Sequence, residues 1–278
     1  MKFSITVTLN KKDNAPALYD NEFIKLCTYI KSIGYNGIEL AFENPDITYI
    51  KKIKNKIDSL GLDVSAIQTG QLTSRGFSFA DPSLSLRKKS VNEIKKYIDI
   101  ASITNSYVII GLIRGMNVEG QMGPLAFNRS IECIKSICEY AFDKNVNVLL
   151  EPINKNETSI INRIEDAINL AIEANIENVA VLIDSYHFFL EESNIDIINL
   201  FKTFITKIKY VHISDSDRNP PGMGHFELSY FNKAIRFSGY NGYISAEIKP
   251  IPNSFEAAKV TYDFFKQNFK HNINKMEN

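Results

Sequence analysis

Residues 179–184 read VAVLID, a short run that is apolar and rich in β-branched side chains until its last position, an aspartate. It reads as a strand. Outward from it the same kind of run recurs at 3–8, 37–41, 63–69, 107–111, 146–151, 208–214 and 243–247, which makes eight strands. Longer amphipathic stretches fill the gaps and predict helices over 21–33, 47–60, 84–104, 124–144, 160–174, 195–207, 228–237 and 254–269. The punctuation agrees. Gly34, Gly61 and Gly239 each follow a predicted helix, where a C-terminal glycine belongs, and Asp81-Pro82 and Gly123-Pro124 open the third and fourth helices.

Strand and helix in strict alternation imply parallel strands joined by crossover helices. Eight such units in 278 residues point to a closed (β/α)8 TIM barrel, one α/β domain over residues 1–278, because about 250 residues is the usual size of that fold. The turn after the first strand, LNKKDNAPALYD, holds no glycine, which speaks against a dinucleotide-binding sheet. The two longest connections, 68–82 and 112–123, are long enough to act as lids, and 270–278 reads as a frayed polar tail.

The 32 basic and 32 acidic residues cancel, so the chain lacks the overall basic footprint of a nucleic-acid partner. No apolar run reaches the length of a membrane span, and the opening MKFSITVTLN reads as a strand rather than a leader. Cys27, Cys133 and Cys138 fall within predicted helices without a ligand spacing, and predict reduced, buried thiols in a cytoplasmic protein. A homodimer or homotetramer is left open.

Four strong metal-ligand types stand at the ends of the last four strands. Glu151 closes VNVLLE, Asp184 closes VAVLID, His212 lies near the end of IKYVHIS, and Glu247 closes YISAE. The spacings of 33, 28 and 35 residues are each about one β/α unit. Consecutive strand ends of a barrel converge on its C-terminal mouth, where barrel active sites lie. Three carboxylates and an imidazole gathered there repel one another unless a cation joins them. Taken singly, each carboxylate is as readily a cap for the next helix, and a lone His a satisfied rim group. Four at four successive strand ends are hard to explain that way. Oxygen and nitrogen ligands with open positions suit one divalent cation, Mn2+ first, with Mg2+, Co2+ or Zn2+ as the others.

Further polar groups crowd the same ends. His187 follows Asp184 by three residues in DSYH, so one turn leaving the strand aims both at the mouth. Arg218 lies in the proline- and glycine-rich SDSDRNPPGMGHFEL, able either to hold an oxyanion or to pair with an aspartate. Glu157, in EPINKNET, reads equally as a sugar-hydroxyl acceptor or a solvated carboxylate. Arg75 and Arg114 sit in the two long connections.

EPIN, LIDSYHF, HISDSDRNPPGMGHFEL and AEIKP together resemble the xylose-isomerase-like barrel superfamily, in its D-tagatose 3-epimerase and D-psicose 3-epimerase branch, over essentially the whole chain. The resemblance implies that Glu151, Asp184, His212 and Glu247 bind one divalent cation, usually manganese, magnesium or cobalt. It implies that His187 and Arg218 polarise substrate oxygen and that Glu157 touches the sugar end. Within the branch AIQTGQ, YVIIGLIRG and DSDRNPPGMGHFEL are most similar to 5-keto-L-gluconate epimerases of inositol breakdown. The superfamily also holds endonuclease IV, a DNA-repair enzyme whose three zinc ions need two more histidines from the third and fourth strands; here those ends read AIQTG and VIIGLIRG.

The implied chemistry is epimerisation of a ketose or keto-sugar acid, with Glu151 and Glu247 passing a proton through an enediolate. A keto-acid needs a cation at its far end, for which Arg114 is the first expectation and Arg75 the second. The other readings are an aldose–ketose or hydroxypyruvate isomerase, an inosose dehydratase, a non-catalytic sugar-binding barrel, and the nuclease.

Overall fold

The computed structural model describes residues 1–10, 15–117, 123–173, 177–192 and 195–270. Eight parallel strands close into a barrel in sequence order: β1 Lys2–Thr8, β2 Gly37–Ala41, β3 Asp63–Gln68, β4 Tyr107–Ile110, β5 Val148–Leu150, β6 Val179–Asp184, β7 Ile208–Ile213 and β8 Tyr243–Ala246. The last pairs with the first, Lys2 opposite Tyr243 and Ile5 opposite Ala246. The helices between and after them are α1 Phe23–Ile33, α2 Ile47–Ser59, α3 Leu84–Thr104, α4 Pro124–Asp143, α5 Ile164–Glu173, α6 Ser185–Glu191, α7 Ile197–Thr203, α8 Leu228–Phe237 and α9 Ser254–Phe265. The (β/α)8 barrel expected from the alternation is the fold observed.

Strand side chains alternate between two cores. Ile38, Leu40, Val148, Leu150, Val181, Ile183, Val211, Ile213 and Ile244 face outward into the large core shared with the helices. Ala66, Ile109, Leu149, Ala180, Leu182 and Tyr210 fill the barrel itself, with Tyr107 and Tyr243 packed against them. This parity carries the functional residues: two positions beyond Leu149, Leu182 and Tyr210 come Glu151, Asp184 and His212.

Helix ends follow local chemistry. Gly34, after α1, adopts φ 116°, and a Cβ there would lie 2.1 Å from the Tyr262 hydroxyl, so two independent constraints require glycine. Two predicted helices are shorter than their amphipathic patterns. The stretch 160–174 becomes helical only at Ile164, because the Ile160 and Ile161 carbonyls are taken by Arg114 and Asn162 donates to Ile153 and Thr158. The stretch 195–207 is helical over Ile197–Thr203. One helix, α6, was not expected; the Asp184 side chain caps it by accepting from Tyr186 N at 2.8 Å.

Cys27, Cys133 and Cys138 are free and buried. Among the described residues no helix is long and apolar enough to cross a membrane. Of the expected tail 270–278, residues 271–278 lie outside the described residues, as do 118–122 of the second long connection and 11–14 of the first turn.

Candidate active site

β5 to β8 end side by side at the C-terminal mouth, and their inward parity places Glu151, Asp184, His212 and Glu247 along one arc. One ligand atom from each lies within 4.8 Å of the others. His212 Nδ1 is 3.7 Å from Glu151 Oε1, from Asp184 Oδ2 and from Glu247 Oε2. That nitrogen is buried and has no hydrogen-bond partner. A separation of 3.7 Å is too long for hydrogen bonding. It fits atoms sharing one ion, since ligands about 2.0–2.2 Å from a common ion stand roughly 3–4.4 Å apart. The residues therefore fit a divalent cation, with an orphaned nitrogen as the telling atom. Asp184 serves two ends at once: Oδ1 caps α6 and Oδ2 faces His212.

Electrostatics agree. Burial lifts the Glu247 carboxyl to about 7, the Arg218 and His212 charges opposing and Glu151 and Asp184 adding to the rise. Burial would also raise Asp184, but the Arg218 guanidinium holds it well below the carboxylate range. Arg218 Nη1 pairs with Asp184 Oδ2 and lies 2.8 Å from Glu247 Oε2, while its guanidinium packs 4.3 Å from the centre of the Tyr186 ring. Asp217 and Arg218 both take positive φ, 58° and 61°, a conformation rare for non-glycine residues that turns Arg218 inward. Asp215 holds this loop by accepting from the Ser216, Gly222 and Phe226 amides. Arg218 pairs with Asp184 and Glu247, and not with Asp215 or Asp217 of its own loop.

His187, on α6, faces the same space, with Nε2 3.9 Å from Glu151 Oε1. Its Nδ1 accepts from the Asn154 backbone N–H at 3.3 Å and faces the Asn154 side-chain amide at 2.8 Å. The ring proton therefore belongs on Nε2. Burial, with the Arg218 charge, keeps His187 below the usual histidine range, hence neutral. Arg218 Nη2 lies 3.0 Å from that Nε2. Two donors then face each other, an arrangement relieved when one acceptor oxygen takes both.

The mouth encloses about 400 Å³. Its walls include Gln68, Gln71, Thr73 and Glu157 beside Glu151, Tyr186, His187, Arg218 and Glu247. Glu157 accepts from Asn154 Nδ2 at 2.7 Å. The turn Gly70–Arg75 of the first long connection forms one wall, and Gly111 and Leu112 part of another. Gly111 is required by proximity: a Cβ there would lie 2.8 Å from Glu151 Oε2.

The two arginines expected at the far end of a keto-acid do not reach the cavity. Arg114 is fully buried and donates to the Ile110, Ile160 and Ile161 carbonyls, because its connection folds down onto the loop after β5. Arg75 turns outward, donating to the Glu43 carbonyl at 2.8 Å and resting on Phe77. Among the described residues Arg218 is the one cationic side chain lining the cavity.

Sequence reasoning missed Glu39, Gln68 and Asn154. Glu39 is fully buried and lies 2.8 Å from His212 Nε2; burial raises it, but His212, Tyr210 and Gln68 bring it below the usual carboxylate range. A signal was present: in GIELA, Ile38 and Leu40 claim the outer face and leave a charged residue pointing into the barrel.

Residues 27–267 match the family described as xylose isomerase-like TIM barrel, and the chain belongs to that family. It is 25% identical over 220 residues to a ketose 3-epimerase of Arthrobacter globiformis, covering 78% of this chain and 74% of that one. It is 23% identical over 240 residues to a 3-dehydro-D-guloside 4-epimerase of Escherichia coli K12, covering 83% and 88%. The structure of a D-allulose 3-epimerase from Methylomonas sp. in complex with D-allulose superposes with a TM-score of 0.78 at 20% identity, covering 97% of each chain, a likeness of fold.

Proposed function

We propose that this member of the xylose isomerase-like TIM barrel family is a divalent-cation-dependent enzyme that epimerises a small keto-sugar. One observation carries the reading: the buried, unpartnered His212 Nδ1 faces three carboxylate oxygens, each at 3.7 Å. Glu151 and Glu247 stand at the two ends of that arc, with Asp184 and His212 between them. Names of relatives support the class, since the two cited above are a ketose 3-epimerase and a 3-dehydro-D-guloside 4-epimerase.

In this scheme one of the two glutamates takes the proton from the carbon beside the ketone. The C–H electron pair moves into the carbonyl, giving an enediolate, and the other glutamate delivers a proton to the opposite face. Configuration changes at one carbon with no net oxidation. A divalent cation held by Glu151, Asp184, His212 and Glu247 supplies Lewis-acid stabilisation of the negative oxygen; manganese is our first choice. His187 Nε2–H and Arg218 donate to the oxygen that gains charge, and Glu157 accepts from a sugar hydroxyl. With hydroxyl and amide groups of Gln71 and Thr73 along the far wall, a neutral ketose fits better than the keto-acid 5-keto-L-gluconate.

The test is a panel of ketopentoses, ketohexoses, 3-keto-glycosides and 5-keto-L-gluconate with Mn2+-loaded protein in D2O. NMR should show one carbon-bound hydrogen exchanging with solvent as the epimer appears, and chelator should stop it. Exchange that persists unchanged in chelator-treated, metal-free protein would overturn the proposal.

A further inference from the structure

Several hydrogen-bond donors converge on one buried carboxylate that the proton-transfer scheme leaves unused. Glu39, on the barrel-facing side of β2, accepts at Oε1 from Thr6 Oγ1 of β1 at 3.0 Å and from Gln68 Nε2 of β3 at 2.7 Å. Its Oε2 lies 2.8 Å from His212 Nε2 of β7. Gln68 Nε2 also reaches Glu247 Oε1, at 2.5 Å. An ionised carboxylate offers acceptors alone, so it can satisfy all of these donors. An amide in its place would turn its NH2 either on His212 or on Thr6 and Gln68.

The consequence reaches the ligands. With Glu39 accepting from His212 Nε2–H, the lone pair of the imidazole is left on Nδ1, the atom facing Glu151, Asp184 and Glu247. Reversing that tautomer would put a proton where an ion must bind. Gln68, tied to Glu39 by one amide hydrogen, holds Glu247 with the other and leaves Glu247 Oε2 for the arc. One carboxylate on β2 thus orients groups on β7 and β8.

We infer that Glu39 is a positioning residue of the metal centre and that Gln68 is the strut carrying its hold to Glu247. The inference rests on reading the four-residue arc as a divalent-cation site. Its test is titration of Mn2+ into metal-free wild-type protein and the Glu39→Gln, Glu39→Asp and His212→Ala variants, by calorimetry at a temperature where circular dichroism shows each to be folded. Loss of such an outer partner typically weakens metal binding about 10–100-fold, so Glu39→Gln should raise the Kd by that factor. Glu39→Asp, which keeps the charge but is one methylene shorter, should raise the Kd by more than about threefold but by less than Glu39→Gln does. A Kd within about threefold of wild type for Glu39→Gln overturns the inference; if that variant does not fold, the same result for Glu39→Asp does so. Wild type that binds no Mn2+, or His212→Ala that binds as well as wild type, refutes the metal site itself instead.

Discussion

Replacing Arg114 with methionine separates a structural arginine from a substrate-reading one. Its guanidinium donates to Ile110 O at 2.7 Å, to Ile160 O at 3.3 and 3.2 Å and to Ile161 O at 3.3 Å. Burial lowers its pKa to about 10, so it remains charged at neutral pH. Hydrogen bonds from a charged donor are worth about 1.5–3 kcal/mol each when short, and the three long ones less. Methionine fills the space of the stem but leaves the Ile160 carbonyl without its donors, while the Ile110 and Ile161 carbonyls keep the Glu151 and Ile153 amides. Part of the loss is offset because a buried cation no longer has to be desolvated. The net cost should be about 3 kcal/mol, or a fall of roughly 6–12 °C in Tm for a domain of this size. The loops joined by Arg114 carry Asn154 and Glu157, so turnover should fall by a similar factor on every substrate. Thermal melts by circular dichroism, with kcat and KM on a neutral ketose and on 5-keto-L-gluconate, check both parts. An unchanged Tm with a KM raised for the acid alone would refute this reasoning and make Arg114 a carboxylate reader.

Glu151→Gln and Glu247→Gln should each lower kcat by about 10²–10⁴, measured by D2O exchange with Mn2+ saturating, and near-full activity of either would end the two-base scheme. Gly111→Ala should cut kcat at least tenfold, because the added Cβ would lie 2.8 Å from Glu151 Oε2 and displace that carboxylate; unchanged kcat would mean that Glu151 tolerates the shift. Burial pushes the Cys27 and Cys138 thiols up to about 12 and Cys133 to about 11. Native protein at pH 8 should therefore react slowly with a thiol reagent and denatured protein at once, whereas fast native labelling would contradict the helix packing. The same shifts give a sign for stability: the unfolded thiols ionise near 9.0 and the folded ones do not, so this contribution is intact below pH 9 and is lost as the pH rises above it.

Barrel and arc were legible in the sequence because both are local patterns repeated at a fixed interval. A run such as VAVLID declares a strand, the residue that ends it declares what stands at the strand's tip, and barrel closure brings the tips of β5 to β8 together. The direction of Arg114, the shortening of the predicted helix at 160–174, and the place of Glu39 in the His212 network belonged to the tertiary structure alone. Each depends on a partner distant in the chain: Arg114 on carbonyls 46 and 47 residues away, Glu39 on an imidazole 173 residues away. A sequence pattern shows which face of a strand a side chain occupies. Whether a charge in a loop reaches the cavity or is drawn down onto backbone carbonyls depends on how two loops meet, and only the closed barrel brings them together.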